Sequence, residues 1–211
     1  LVLMVGHVFM YNPAVRAIRA LLADGELGDV HYVSMVRTNQ GPVRRDGSAA
    51  WDLASHDVSI TNWWFGGPAL SATATGGSWV SGTHADAVFA TLRYPGDVLV
   101  NLSVSWLEPG KCRDVRVVGS KAMLTFDDTN PTEKVRIYAK RAPDDCTRDV
   151  DVRVPSIPPA EPLRVQCDHF IDCIETGATP LTGGQFSTDV ARTVAAIERS
   201  MAAGGAEMSV G

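Results

Sequence analysis

The alternation across residues 98–106 constrains this chain most. Val98, Val100, Leu102, Val104 and Trp106 are apolar, and between them stand Leu99, Asn101, Ser103 and Ser105. A period of two sends successive side chains to opposite faces of a strand, so one face is covered and the other is semi-polar. Further strand runs follow Gly67: Leu70–Thr75, Ala87–Tyr94, Arg113–Val118, Ala122–Phe126, Lys134–Tyr138 and Asp149–Val154. Tyr94-Pro95-Gly96-Asp97 and Gly119-Ser120-Lys121 read as hairpin turns. The sheet predicted from these runs is mostly antiparallel.

Helices supply the cover. Asn12-Pro13 places a cap residue before Pro at the first helical position, and Val15, Ile18, Leu21 and Leu22 continue as an apolar stripe. Val30–Arg37 reads as a strand, and the polar stretch Thr38–Ser48 leads into a helix over Ala49–Phe65. Ser48 is placed to cap that helix and Gly66-Gly67-Pro68 to stop it. The Pro-rich segment Pro155–Pro162 is a linker. One closing helix carries Leu163, Cys167, Phe170 and Ile174 and ends at Gly177; the other carries Val190, Val194, Ile197 and Met201 and ends at Gly204-Gly205. The fold class is α+β, a large, mostly antiparallel open sheet with helices on one face. Leu1–Gly6 is a continuous apolar run that suits the last strand of a parallel sheet. Residues 1–6 are therefore assigned to a separate domain whose remainder is absent, and 7–211 to the α+β domain.

Composition excludes several function classes. The 211 residues suffice for one full core, and the formal charge is −5 with no Lys/Arg cluster beyond two adjacent residues, which argues against a nucleic-acid partner. No apolar run approaches a membrane span and no signal peptide is visible. Cys112, Cys146, Cys167 and Cys173 have no CxxC spacing and read as reduced thiols in a cytoplasmic protein, without a zinc site.

The chemistry sits in Trp51-Asp52-Leu53-Ala54-Ser55-His56-Asp57. Asp52 and His56 are one helical turn apart, so the carboxylate can hold the ring's orientation while the imidazole moves a proton near neutral pH. On an ordinary helix such a pair is a surface contact worth a few tenths of a kcal/mol. Trp51, Leu53, Ile60, Trp63, Trp64 and Phe65 make this helix apolar enough to be largely buried, and buried polar groups need partners or a purpose. Trp63 and Trp64 read as core, His31 and His84 as turn residues, and His169 carries no role. Arg44-Arg45-Asp46 could clamp a phosphate.

Val5-Gly6-His7-Val8-Phe9-Met10-Tyr11-Asn12-Pro13, the Arg37–Asp46 stretch and the Asp52/His56 run, in that order, resemble the C-terminal domain of the Gfo/Idh/MocA oxidoreductases. This is the glucose–fructose oxidoreductase and inositol dehydrogenase family. Gly119–Leu124 and Pro162–Thr182 extend the resemblance over essentially the whole chain. It implies a dihydrodipicolinate reductase-like α+β domain that carries the substrate pocket and an oligomer interface. A Rossmann domain would bind NAD or NADP, its Gly-rich loop and Glu-Lys-Pro motif lying upstream of Leu1. The implied reaction is hydride transfer between a secondary alcohol of a sugar, sugar nucleotide or polyol and nicotinamide.

The resemblance makes His56 the acid/base, with Asp52 beside it. Asn39, Arg44, Tyr11, Asn12 and Asp57 fall on substrate-binding segments, and His7 lies toward the cofactor. Ser59 stands where inositol-type members carry a second carboxylate, which argues against inositol. The resemblance also implies a homo-oligomer through the open sheet, and no metal. A non-catalytic sugar-binding or assembly module on the same domain is the alternative. A metal-dependent isomerase or lyase using Asp52, His56 and His84 is a more distant one.

Overall fold

The computed structural model describes residues 1–139 and 151–211. A 3-10 turn at Val8–Tyr11 leads to helix α1, Pro13–Ala23, and strand β1, Val30–Thr38. Asn12 caps α1 as its sequence predicts, its Oδ1 accepting from Ala14 N at 2.9 Å. A π-helical turn, Ala50–Ala54, runs into helix α2, Ser55–Phe65. Strands β2 (Ser71–Gly77), β3 (Ala87–Tyr94), β4 (Val98–Ser105), β5 (Cys112–Gly119), β6 (Ala122–Asp127), β7 (Val135–Ala139) and β8 (Val152–Arg153) follow. Helices α3 (Pro162–Thr176) and α4 (Gly184–Ala202) and the short strand β9 (Met208–Ser209) close the chain.

The strands form one sheet of nine in the order β8-β7-β6-β5-β1-β4-β3-β2-β9. Every pairing is antiparallel except β1 with β4. In register, Val33 lies between Val100 and Val117, and Met35 between Leu102 and Val115. These side chains form one core with Ile18 of α1, Val58 and Ile60 of α2, and Val194 and Ile197 of α4. Helices thus cover one face, as the alternation in β4 requires. The opposite face stays open, with Tyr32 and Phe89 43% and 51% exposed. The turn between β5 and β6 is pressed against the end of α1's loop: a Cβ on Gly119 would meet Leu27 O at 2.2 Å, so only glycine fits.

Several sequence expectations change. Ser48 does not cap the helix; its hydroxyl bonds the Glu198 carboxylate on α4, a stronger acceptor than any backbone partner nearby. Trp51 is 45% exposed rather than buried, because it lies on the outer side of the π turn. Helix α3 turns its expected stripe outward: Leu163 and Ile174 are 54% and 55% exposed, while Cys173 is buried. Periodicity reports which face is apolar, not whether anything covers it. The assignment of residues 1–6 to a separate domain is not among these changes: they pair with no strand among the described residues, Val5 N donates to Thr182 O, and Thr182 Oγ1 donates back to Val5 O. In the run Asp149–Val154, Val152–Arg153 is strand among the described residues; Cys146 and the start of that run lie outside them.

Two interactions fix α2 on the sheet. At its far end, Tyr94 Oη of β3 lies 2.7 Å from both Thr61 Oγ1 and Asn62 Oδ1. At its near end, Arg37 of β1 donates from Nε at 2.9 Å and from NH2 at 2.5 Å to Asp57 Oδ1, both side chains buried. Removing one partner of a buried pair strands the other charge. Arg37→Met should therefore cost roughly 3–5 kcal/mol of unfolding free energy. The double variant Arg37→Met/Asp57→Leu should recover most of the loss. Urea unfolding of the two variants checks both outcomes; equal losses would show that stranded charge is not the cause.

Candidate active site

The site grows from the C-terminal end of β1. Arg37 sits on the core face of β1 after Val33 and Met35, directly opposite Arg113 of β5. Two guanidiniums side by side repel, and each has its own carboxylate. Arg37 holds Asp57, and Arg113 NH1 donates to Asp128 Oδ2 at 2.9 Å. Both also stack on one ring: Arg37 Cζ is 4.4 Å and Arg113 Cζ 5.4 Å from the centroid of Phe9. The His56 ring lies against the same phenyl group, centroid to centroid 5.3 Å.

His56, Phe9 and Asn12 form one wall of a cavity of about 540 Å³. Arg113, Asp128 and Lys134 form a second wall, and the Pro155–Pro162 segment a third. That segment, read as a linker, is therefore part of the site. Asp128 follows β6 and gathers three donors: Asn12 Nδ2 at 3.0 Å, Arg113, and Lys134 Nζ at 3.2 Å. Burial acts to raise its carboxyl, but the bonds from Arg113 and Lys134 outweigh that and hold it below the usual carboxylate range.

His56 is charged with difficulty here. Burial first, then Arg37 and His7, push its imidazole down to about 4, against a smaller upward pull from Asp52. At neutral pH the ring is a free base. Its Nδ1 is buried without a partner, which leaves Nε2 as the nitrogen open to the cavity.

The other expected site residues divide. Asn12 joins His56 in the cavity. Asp52 does not bond His56: its Oδ1 pairs with Arg44 Nε at 2.7 Å and its Oδ2 accepts from Trp106 Nε1 at 2.9 Å. A guanidinium and an indole N–H are better partners for a carboxylate than a neutral ring. Arg44 pairs with Asp52 from outside the cavity lining, and Asn39 is exposed beyond β1. Asp57 is locked to Arg37 with its Oδ2 buried and unpartnered. Tyr11 is buried elsewhere, its hydroxyl 3.6 Å from Met4 Sδ and its ring 5.6 Å from His169. His7 packs edge-on to Phe186 at 5.8 Å with Nε2 buried and unpartnered; burial lowers its pKa, and it does not line the cavity. His84 stays in the loop before β3, its carbonyl accepting from Ser81 Oγ.

Sequence reading missed Arg113, Asp128, Lys134 and the role of Phe9. One signal was present. Arg113 shares strand parity with Val115 and Val117, so it had to sit on the covered face. Among the described residues no three His, Cys, Asp or Glu side chains are grouped to hold a metal. Nor do they build a dinucleotide site. Gly66-Gly67 follows a helix, Gly76-Gly77 ends a strand before a loop, and Gly183-Gly184 opens α4 without a strand before it.

Comparison with known proteins agrees with the fold. The chain superposes on a UDP-N-acetylglucosamine 3-dehydrogenase from Acidithiobacillus ferrooxidans with a TM-score of 0.82 at 21% identity, covering 96% of this chain and 63% of that one. An inositol dehydrogenase homolog from Azotobacter vinelandii, solved with NADH and myo-inositol, gives 0.79 at 17% identity over 98% of this chain and 64% of that one. A levoglucosan dehydrogenase in complex with NADH and L-sorbose gives 0.82 at 13% identity over 100% and 66%. The chain thus spans less than two thirds of the length of each. No curated protein sequence matches it. Residues 15–125 match the GFO/IDH/MocA C-terminal domain, slightly more than half of the chain, and the protein belongs to that family.

Proposed function

We propose that this chain is the substrate domain of an oxidoreductase that acts on a secondary alcohol of a sugar, sugar nucleotide or polyol. The observation that carries the reading is a neutral, half-buried His56 presenting one nitrogen to a cavity that Asn12, Arg113, Asp128 and Lys134 also line. Oxidising an alcohol carbon releases a hydride and the hydroxyl proton. His56 Nε2 takes the proton. Asn12, Arg113 and Lys134 fix which carbon is presented. NAD or NADP, the hydride acceptor when bound, would be held by a Rossmann domain upstream of residue 7. The share of each relative's length left uncovered supports this, as does NADH in two of their structures. The expected setting is the cytoplasm; among the described residues no helix is long and apolar enough to cross a membrane.

A specific observation favours the alternative, an assembly module. The open sheet face exposes Tyr32 and Phe89 beside polar Ser103 and Asn101. We read this face as the seat of a second copy in either case. Phe89→Glu should then shift sedimentation from dimer to monomer at micromolar concentration, and an unchanged profile would reject the seat.

In the two-domain enzyme, His56→Asn should lower turnover by about 10²–10⁴-fold with little change in KM, since removal of a general base acts on the chemical step. Near-normal turnover would leave the assembly reading.

Stability of this chain should also follow His56. Folding weakens its proton affinity, so between pH 6.5 and about 4 the unfolded state holds more protons and stability falls as pH drops. His56→Gln should flatten that limb by roughly 3 kcal/mol in urea unfolding across the window.

A further inference from the structure

The cavity's hydrogen-bonding capacity is lopsided. Asp128 is its central acceptor, and it is already engaged: Oδ1 takes Asn12 and Lys134, and Oδ2 takes Arg113. Asn12 Oδ1 is spent on Ala14 N. Glu161 also lines the cavity, at its exposed edge, and its Oε2 accepts from Arg164 N at the start of α3. What remains around Asp128 is mostly donors. Arg113 carries five N–H groups and, among the described residues, gives one bond. Lys134 Nζ gives two of its three, to Asp128 O at 2.7 Å and Oδ1 at 3.2 Å. Asn12 Nδ2 keeps one N–H. Arg113 and Lys134 both reach Asp128, and neither pairs with Glu161, the other carboxylate of the lining, among the described residues; Arg37 nearby is neutralised by Asp57.

A neutral polyol brings a donor with every hydroxyl and would find few acceptors at this corner. A carboxylate or phosphate brings acceptors alone and a compensating charge. We infer that Arg113 and Lys134 form an anion subsite, and that the substrate is a polyol bearing a carboxylate or phosphate, its hydroxyl-bearing carbon at His56. The inference rests on the dehydrogenase reading of the same cavity and assigns the acid group to Arg113, not to Arg44. Arg44 is committed to Asp52 outside the cavity.

Matched ligands test it by calorimetry on this chain at fixed ionic strength: gluconate against glucitol, glucose 6-phosphate against glucose, and inorganic phosphate alone. At least one acid should bind about tenfold or more tighter than its neutral mate, as expected for a charge-assisted contact. The pair that shows the larger ratio separates carboxylate from phosphate. Arg113→Gln should collapse that ratio to about 1, Arg113→Lys should reduce it in part with Asp128 still bridged, and Arg44→Gln should leave it. Equal affinities within both pairs, or a ratio lost in Arg44→Gln and kept in Arg113→Gln, overturn the subsite while leaving the dehydrogenase reading intact. Phosphate alone binding as tightly as glucose 6-phosphate keeps the anion contact but removes the polyol, and with it both the substrate class and the reading beneath. No binding by any ligand to the folded chain overturns both.

Discussion

The buried pair between Arg37 and Asp57 organises this molecule. It ties the last turn of strand to the first turn of helix, so β1 and α2 cannot shift relative to one another without breaking it. His56 is the residue before Asp57, and its position is inherited from that anchor. Arg37 acts twice, because the face of its guanidinium also carries Phe9, and Phe9 is the surface on which the His56 ring rests. A cation buried for packing thereby becomes the second-largest influence keeping protons off the imidazole.

The cavity is divided by charge state. On one side a neutral ring waits with a free nitrogen; on the other a carboxylate holds two cations in place. The two sides share Phe9, which touches His56 and Arg113 alike. This spacing suits a ligand with one reacting end and one anchoring end. The proline segment makes the remaining wall rigid, since its φ angles are fixed by ring closure.

Much of the fold was legible because strands advertise themselves locally. The alternation in Val98–Trp106 gave a strand and a covered face, and the structure places Val98, Val100, Leu102, Val104 and Trp106 inside. Helix α3 shows the limit. Its apolar residues mark a helix, but Leu163 and Ile174 are exposed, since burial depends on what lies opposite. The site was legible only in part. His56 and Asn12 were visible from short motifs. Asp52 was visible too, but its partner was decided by competition, and Arg44 with Trp106 outbids a neutral ring. Arg113 reaches the cavity from β5, and Asp128 and Lys134 from the loop between β6 and β7, far along the chain, and no local pattern links them to His56. The π turn before α2 has no sequence signature at all, though such turns recur at functional sites.

The single parallel pairing has a consequence for how the chain assembles. Strands β2, β3 and β4 form one local meander, and β5, β6 and β7 another, each made of strands adjacent in sequence. Strand β1 lies between them, and Val33 meets Val100 and Val117 only after long stretches of chain have been brought together. Local hairpins close quickly, whereas such distant contacts wait on the entropy of loop closure. The two halves therefore assemble early, and the insertion of β1 sets the pace. Until that strand docks, the edges of β4 and β5 stay unpaired, which makes this interval the one in which the protein is most prone to join another chain by mistake.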